Sequence, residues 1–274
     1  MASTKPTLPP VRACLFDMDG LLIDSEDLYT ICTNEILREY GKPDLPWNIK
    51  AQLQGRPGPQ AGEIFRAWAQ LPITREEFLT KQSALQRKHF PTTQPLPGAA
   101  ALISTLAATS STPSKTHICL ATSSHSANYA LKTSHLQSLF SQFPATQVVL
   151  GDDVRIPKGR GKPAPDIYLL ALETVNEELR KAGEREVLPE ECLVFEDSVP
   201  GVEAGRRAGM QVVWCPHPGL LNEYKGRVDE VLAGRTGEHK GDDALVGVGK
   251  IGDGWGVMLE NLVDFPFERF GIKV

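Results

Sequence analysis

Two aspartates one residue apart, Asp17 and Asp19, close an apolar run, Val11-Arg12-Ala13-Cys14-Leu15-Phe16, and are followed by Gly20. The run reads as a strand, and the glycine lets the backbone turn away sharply. In an extended segment residues i and i+2 point the same way, so both carboxylates can face one small volume. So close a pair repels, and it stays ionised only where a cation or hydrogen-bond donors offset the charge. The chemistry implied is a divalent metal and a reaction with anionic oxygens. Asp-Gly is also an ordinary turn former, so this pair alone does not decide.

Three further strand ends carry reagents. His117-Ile118-Cys119-Leu120-Ala121 runs into Thr122-Ser123-Ser124, Lys162 sits in the loop Gly161-Lys162-Pro163-Ala164-Pro165-Asp166, and Cys192-Leu193-Val194-Phe195 runs into Glu196-Asp197-Ser198. Taken singly each has a plain reading: a hydroxyl run that caps a helix, a solvated loop lysine, and acids that start a helix. Taken in order they supply paired acids, hydroxyls, a cation and more acids. In an open α/β sheet such strand ends meet at one crevice.

The four motifs in this order resemble the haloacid dehalogenase superfamily of phosphohydrolases, from about Arg12 to Pro216. Within it the chain is most similar to the pseudouridine-5′-phosphatase-like group. The residues that carry this closer likeness are Phe16 to Glu26 (FDMDGLLIDSE), Leu120 to His135, Val148 to Asp153, Gly161 to Leu169 and Cys192 to Val213. The resemblance implies a Rossmann-like doubly wound parallel sheet with an inserted helical cap, and Mg²⁺-dependent phosphoryl transfer. Asp17 is then the nucleophile that becomes an aspartyl-phosphate. Asp19 is the general acid that protonates the leaving alkoxide and later takes a proton from water. Thr122 and the Ser123 amide donate to phosphoryl oxygens, and Lys162 supplies positive charge. Asp17, the main-chain carbonyl of Asp19, Glu196 and Asp197 make an oxygen-rich Mg²⁺ site; family precedent makes Asp197 a direct ligand, with Glu196 direct or in support.

Asp19 also separates reaction types. Dehalogenase members lack this second acid, because a halide leaving group needs no proton. Phosphonatase members need a lysine from the cap, and Lys42, Lys50 and Lys81 sit in no such motif. The expected substrate is therefore a small phosphorylated metabolite, nucleotide-like or a sugar phosphate. A sugar phosphomutase of the β-phosphoglucomutase kind shares the four motifs and is the alternative; a non-catalytic binding module would have no need of both acids. Other motifs fail: Lys162 is followed by Pro163 where a Walker A loop needs Ser or Thr, Leu28 stands where an EF-hand needs its last Glu, and no HExxH occurs.

The elements that must position these residues follow from chain order. Helical segments at Glu26–Tyr40, Pro59–Leu71 and Thr74–His89 fall between the first two motifs, so the reading is a core of residues 1–24 and 97–274 with a helical cap at 25–96. A helix at Gly98–Ala108, strands at His117–Ala121, Val148–Leu150, Cys192–Phe195 and Gln211–Cys215, and helices at Asp166–Ala182 and Val199–Ala208 alternate as a covered parallel sheet requires. The loop Leu53–Pro59 is the expected specificity element, with Arg56 binding a ribose hydroxyl or phosphate oxygen and Glu26 on the rim. The glycines at 201, 205 and 209 have helix-face spacing, which reads as close packing on the sheet. Gly234–Gly256, rich in glycine and charge, reads as a flexible surface insertion, and Thr109–Thr116 and Ile156–Arg160 lengthen two further loops.

Composition excludes several classes. A chain of 274 residues with 41% hydrophobic and 23% charged residues is an ordinary globular protein. A net charge of −5 leaves no basic footprint for nucleic acid or membrane. No apolar run reaches the ~18 residues that span a bilayer, and residues 1–10 form a Pro/Thr-rich arm. The five scattered cysteines read as small buried hydrophobes. The expected setting is cytoplasmic, with the nucleus left open; a monomer is the expected state, and no sustained heptad pattern argues for a coiled-coil dimer.

Overall fold

The computed structural model describes residues 8–56, 58–109, 115–239 and 247–274. Most of the lengthened turn before the second strand, residues 110–114, lies outside these. Six parallel strands form one sheet among the described residues: β1 (Ala13–Phe16), β2 (His117–Ala121), β3 (Val148–Val149), β4 (Cys192–Glu196), β5 (Gln211–Trp214) and β6 (Gly256–Met258), in the order β3-β2-β1-β4-β5-β6. The chain builds outwards from β1 in one direction and then in the other, so the order reverses at β1. Register places Phe16 beside both Leu120 and Phe195. The residues that follow these three paired positions, Asp17, Ala121-Thr122 and Glu196-Asp197, therefore lie side by side at the crevice where such sheets bind ligands.

The sheet is buried on both faces, which is why its strands are continuous apolar runs. Cys14, Phe16, Leu120, Phe195 and Val213 face one core with helix α5 (Ala99–Ala108). Ala13, Leu15, Cys119, Val194 and Trp214 face the other, with α8 (Asp166–Ala182) and α9 (Val199–Arg207). Gly201 and Gly205 are the close-packing positions of α9: a Cβ on Gly205 would lie 2.9 Å from Val212 Cγ2, and one on Gly201 would overlap Glu196.

Between β1 and β2 the described residues add helices and no strand: α1 (Ser25–Glu39), α2 (Trp47–Leu53), α3 (Gly58–Ala69) and α4 (Arg75–His89), followed by α5. This block has its own small core of Leu37, Phe65 and Ala69, with Leu53, Trp68 and Phe78 against it. Thr74 and Glu77 start α4 with a capping box, each side chain bonding the other's backbone N–H. The second half of the molecule is completed by α6 (Ser126–Thr133), α7 (Gln137–Phe140), α10 (Pro218–Glu223) and α11 (Val228–Leu232). No helix among the described residues is long and apolar enough to cross a membrane.

Two expectations need correction. The segment Leu53–Pro59 is not all loop: α2 ends at Leu53 and α3 begins at Gly58, and α2 is held by Trp47 stacked on His217 at 4.5 Å. The described parts of Gly234–Gly256 are not a loose surface insertion. Glu203, 1% exposed, accepts from Thr236 Oγ1 and the Glu238 and His239 amides at 3.0–3.1 Å. Arg206 pairs with Asp253 at 2.5 Å, and Gly256 opens β6. Buried charge, rather than apolar periodicity, orders this segment; residues 240–246 lie outside the described ones.

A candidate active site at the strand ends

Asp17 follows β1 and is 6% exposed. Lys162, from the loop before α8, reaches its Oδ1 at 2.5 Å and also Glu196 Oε1 at 2.7 Å. Glu196 accepts further from Tyr168 Oη at 2.6 Å and from the amides of Asp197 and Ser198. Asp197 accepts from Gln54 Nε2, at the end of α2. One oxygen from each of Asp17, Glu196 and Asp197 lies within 4.8 Å of the others, and all three residues are buried.

So much negative charge in a dry place is costly. Burial, only partly offset by Lys162 and reinforced by Glu196 and Asp19, raises Asp17 to about 7. Burial, with Glu196 and Asp17 beside it, raises Asp197 well above the usual carboxylate range. Burial works against the Lys162 ammonium, but Asp17 and Glu196 outweigh it and hold it charged. One lysine does not balance three carboxylates, so the donor set fits a hard dication with oxygen ligands. Gln54 Oε1, buried at the same cluster, has no hydrogen-bond partner among the described residues.

Asp19 lies in a second, separate electrostatic environment. Its Oδ1 accepts from Ser25 Oγ at 2.5 Å and from Lys132 Nζ; its Oδ2 accepts from Ser124 Oγ at 2.7 Å and from Thr122 Oγ1 at 3.3 Å. Burial alone would raise Asp19, but Lys132 and these hydroxyls overcome it and hold the carboxyl below its ordinary value. The two acids of one strand end are thus pushed in opposite directions.

Every residue singled out from the sequence lines this region. Asp17, Asp19, Glu26, Arg56, Thr122, Ser123 and Asp197 border one cavity of about 500 Å³ between the sheet and the helical block. Lys162 and Glu196 lie beneath them as partners of Asp17 and Asp197. Thr122 is fully buried and its hydroxyl is engaged by Asp19 and the Ser124 amide. Burial raises Glu26 despite Lys50 at 3.7 Å. Arg56 pairs with Glu238 and donates Nε to the Gln52 carbonyl at 2.6 Å. Leu53, Phe65 and Phe78 also line the cavity, with the amides of Gln86 and Asn128 and the side chains of Arg66 and Arg75.

Sequence reasoning missed Lys132, Ser124, Ser25, Gln54, Tyr168 and Lys50. Ser124 stood inside the hydroxyl run, and Lys50 was noted without a role. Lys132, on α6, lies within the Leu120 to His135 segment of the family likeness but had no role assigned, because a lysine in a short polar helix reads as solvated.

A scan of protein families matches residues 11–209 to haloacid dehalogenase-like hydrolases. The probable pseudouridine-5′-phosphatase of Saccharomyces cerevisiae is 44% identical over 82% of this chain and 90% of its own length. The (DL)-glycerol-3-phosphatase 2 of Arabidopsis thaliana is 36% identical over 80% of this chain and 85% of its own. Among solved structures, a hydrolase of the same family from Deinococcus radiodurans with bound phosphate and sodium superposes with a TM-score of 0.56, at 26% identity over 77% of this chain and 82% of that one.

Proposed function

The chain belongs to the haloacid dehalogenase-like hydrolases and is a phosphatase; from that premise we propose that it hydrolyses a small nucleotide-like monophosphate, pseudouridine 5′-phosphate first, with Mg²⁺ and an aspartyl-phosphate on Asp17. The observation that carries the reading is the pairing of Asp17 with Lys162 at 2.5 Å inside a buried cluster with Glu196 and Asp197. A structural salt bridge would need neither the added acids nor a cavity above it.

Asp17, Asp197 and Glu196 would hold the Mg²⁺, with the Asp19 carbonyl as a further oxygen. Bound there, the ion would supply positive charge for the phosphoryl oxygens and favour the ionised form of Asp17. Lys162 adds a fixed charge beside the nucleophile. Asp17 attacks phosphorus as Asp19 gives its proton to the departing ester oxygen, and the alcohol leaves. Asp19, now a carboxylate, takes a proton from the water that attacks the aspartyl-phosphate, and inorganic phosphate is released. Thr122 and the Ser123 amide border the phosphoryl position.

The block of residues 25–96 acts as the cap and selects the leaving group. A cavity of about 500 Å³ lies in the range of small-molecule sites. Phe65 and Phe78 offer a face for a planar base, and Gln86 and Asn128 offer amides to its edge. Glycerol 3-phosphate would leave much of this wall unused, which is why the nucleoside ester is placed first.

The test is phosphate release from pseudouridine 5′-phosphate, ordinary nucleotides, hexose phosphates and glycerol 3-phosphate, with and without Mg²⁺, for the wild type and Asp17→Asn. The expected result is Mg²⁺-dependent release concentrated on pseudouridine 5′-phosphate and abolished in Asp17→Asn. Near-normal turnover by that variant would overturn the nucleophile. A trapped phospho-enzyme that releases no phosphate would replace hydrolysis by the mutase reaction.

A further inference from the structure

Lys132 is a fully buried cation that the mechanism above leaves without a task. Its ammonium contacts the Asp19 carboxylate, Ser124 Oγ at 2.6 Å and Tyr29 Oη at 3.4 Å, and it lies over the rings of Tyr29 and Phe90 at 5.2 and 5.3 Å. Taking an ammonium out of water costs several kcal/mol before any pairing, on the order of the stability of many whole domains. Here the carboxylate beside it is the one placed at the reacting bond.

We infer that Lys132 is the positioning residue of Asp19: it fixes the carboxyl in the site and stabilises the anion that forms when Asp19 gives up its proton. The inference rests on the proposed role of Asp19 as acid and base. Asp19 needs such a partner because its charge appears in a site from which water is excluded, where a prepositioned cation stabilises it without reorganisation. Ser124 closes the arrangement, since its hydroxyl bonds both Asp19 Oδ2 and the Lys132 ammonium. Lys132 transfers no proton; the proton moves from Asp19 to the leaving oxygen, and the ammonium answers the charge left behind.

Its surroundings tie this anchor to the helical block. Tyr29 is on α1, Phe90 follows α4, and Thr93 Oγ1 donates to the Lys132 carbonyl at 2.7 Å. Both connections between block and sheet therefore touch the residue that holds the acid.

The experiment compares kcat/KM for an alkyl ester, pseudouridine 5′-phosphate, with that for 4-nitrophenyl phosphate, whose leaving group departs without a proton. kcat/KM reports the steps up to departure of the leaving group. Lys132→Met should lower the alkyl value about 100-fold, the scale of general-acid catalysis, and the aryl value less than about threefold, the pattern also expected of Asp19→Asn. Added to Asp19→Asn, it should cost little more, because both changes remove one function. Equal losses on the two esters, or a full further loss in the Asp19→Asn background, would overturn the inference. Should Lys132→Met fail to fold, Ser124→Ala must show the same selective loss on the alkyl ester in smaller measure, and equal losses there would overturn it too. Failure of the proposed function is separately visible: it shows in the wild type as no turnover of either ester, or in Asp19→Asn as unchanged alkyl hydrolysis.

Discussion

Gly20 gives a direct test of how tightly the proposed metal-ligand geometry is built. It has φ +76°, and a Cβ there would overlap Asp197 Oδ2 and lie 3.0 Å from Asp197 Cγ and 2.8 Å from Glu26 Cγ. Gly20→Ala therefore has two costs. The left-handed backbone costs about 1–2 kcal/mol for any residue with a Cβ. The overlap cannot be relieved by the backbone, so the Asp197 carboxylate must retreat by about an ångström, a misplacement that can cost about 10²-fold in rate. Gly41 separates the two costs: at φ +66° it is equally left-handed, but nothing lies within 4 Å of its Cβ position. Both alanine variants should lose similar thermal stability, while only Gly20→Ala should lose kcat about 100-fold and need more Mg²⁺ for half-activation. Thermal melts and Mg²⁺ titrations of phosphate release read the two effects apart. Wild-type kcat and Mg²⁺ dependence in Gly20→Ala would refute the close packing of Gly20 on Asp197. An equal activity loss in Gly41→Ala would refute the attribution to the site.

His117, at the start of β2 and 6% exposed, is pushed down to about 4 by burial and by the charges of Lys115 and Arg12. A histidine lowered in this way is protonated first in the unfolded chain, so its stabilisation is present above about pH 6.5 and is lost as the pH falls towards 4. The loss is about 2 kcal/mol once screening at its partly open edge is allowed for; in urea melts between pH 7 and 4.5, His117→Gln should show a correspondingly flatter slope than the wild type, and parallel slopes would refute the assignment. The five cysteines are all buried, with thiols that burial raises, Cys119 and Cys215 to about 12. Ellman's reagent should label essentially none in the native protein and all of them in guanidinium; rapid labelling of the native protein would contradict this burial.

What could be read from the sequence is what local pattern determines. The strand His117–Ala121 and the helix Asp166–Ala182 have the bounds expected, because an apolar run with a polar stop and a long amphipathic stretch each carry their own signal. The site acids were legible because they stand at strand ends. The seven residues of α2 were not, since proline and polar residues precede them and their order comes from Trp47 on His217 and from α3. The Gly234–Gly256 segment looked unstructured because its order depends on Glu203 and Arg206, about 30 to 50 residues earlier in the chain. Lys132 was hidden for a related reason. Its burial is set by Tyr29, Phe90 and Asp19 from three other parts of the chain, none of which marks the helix Ser126–Thr133.

The two lysines explain how one short motif could serve the two proposed chemical roles. Asp17 and Asp19 leave the same strand end, yet each meets a different cation, Lys162 before α8 and Lys132 on α6. Burial raises Asp17 to about 7, and Lys162, shared with Glu196, offsets this only in part. Lys132 ion-pairs with Asp19, with hydroxyls in support, and together they outweigh burial, so Asp19 is lowered. The protein by itself thus favours an ionised Asp19 and leaves Asp17 poised near neutrality. An ionised Asp19 suits the second half of the proposed reaction, where water must lose a proton. An ionised Asp17 is what the first half needs, and it calls for more positive charge among Asp17, Glu196 and Asp197 than Lys162 supplies. Two like carboxylates would otherwise titrate as one coupled pair. Separate counter-charges split them, and the buried acids on the Asp17 side make Asp17, the proposed nucleophile, the one of the two whose charge depends on what else binds.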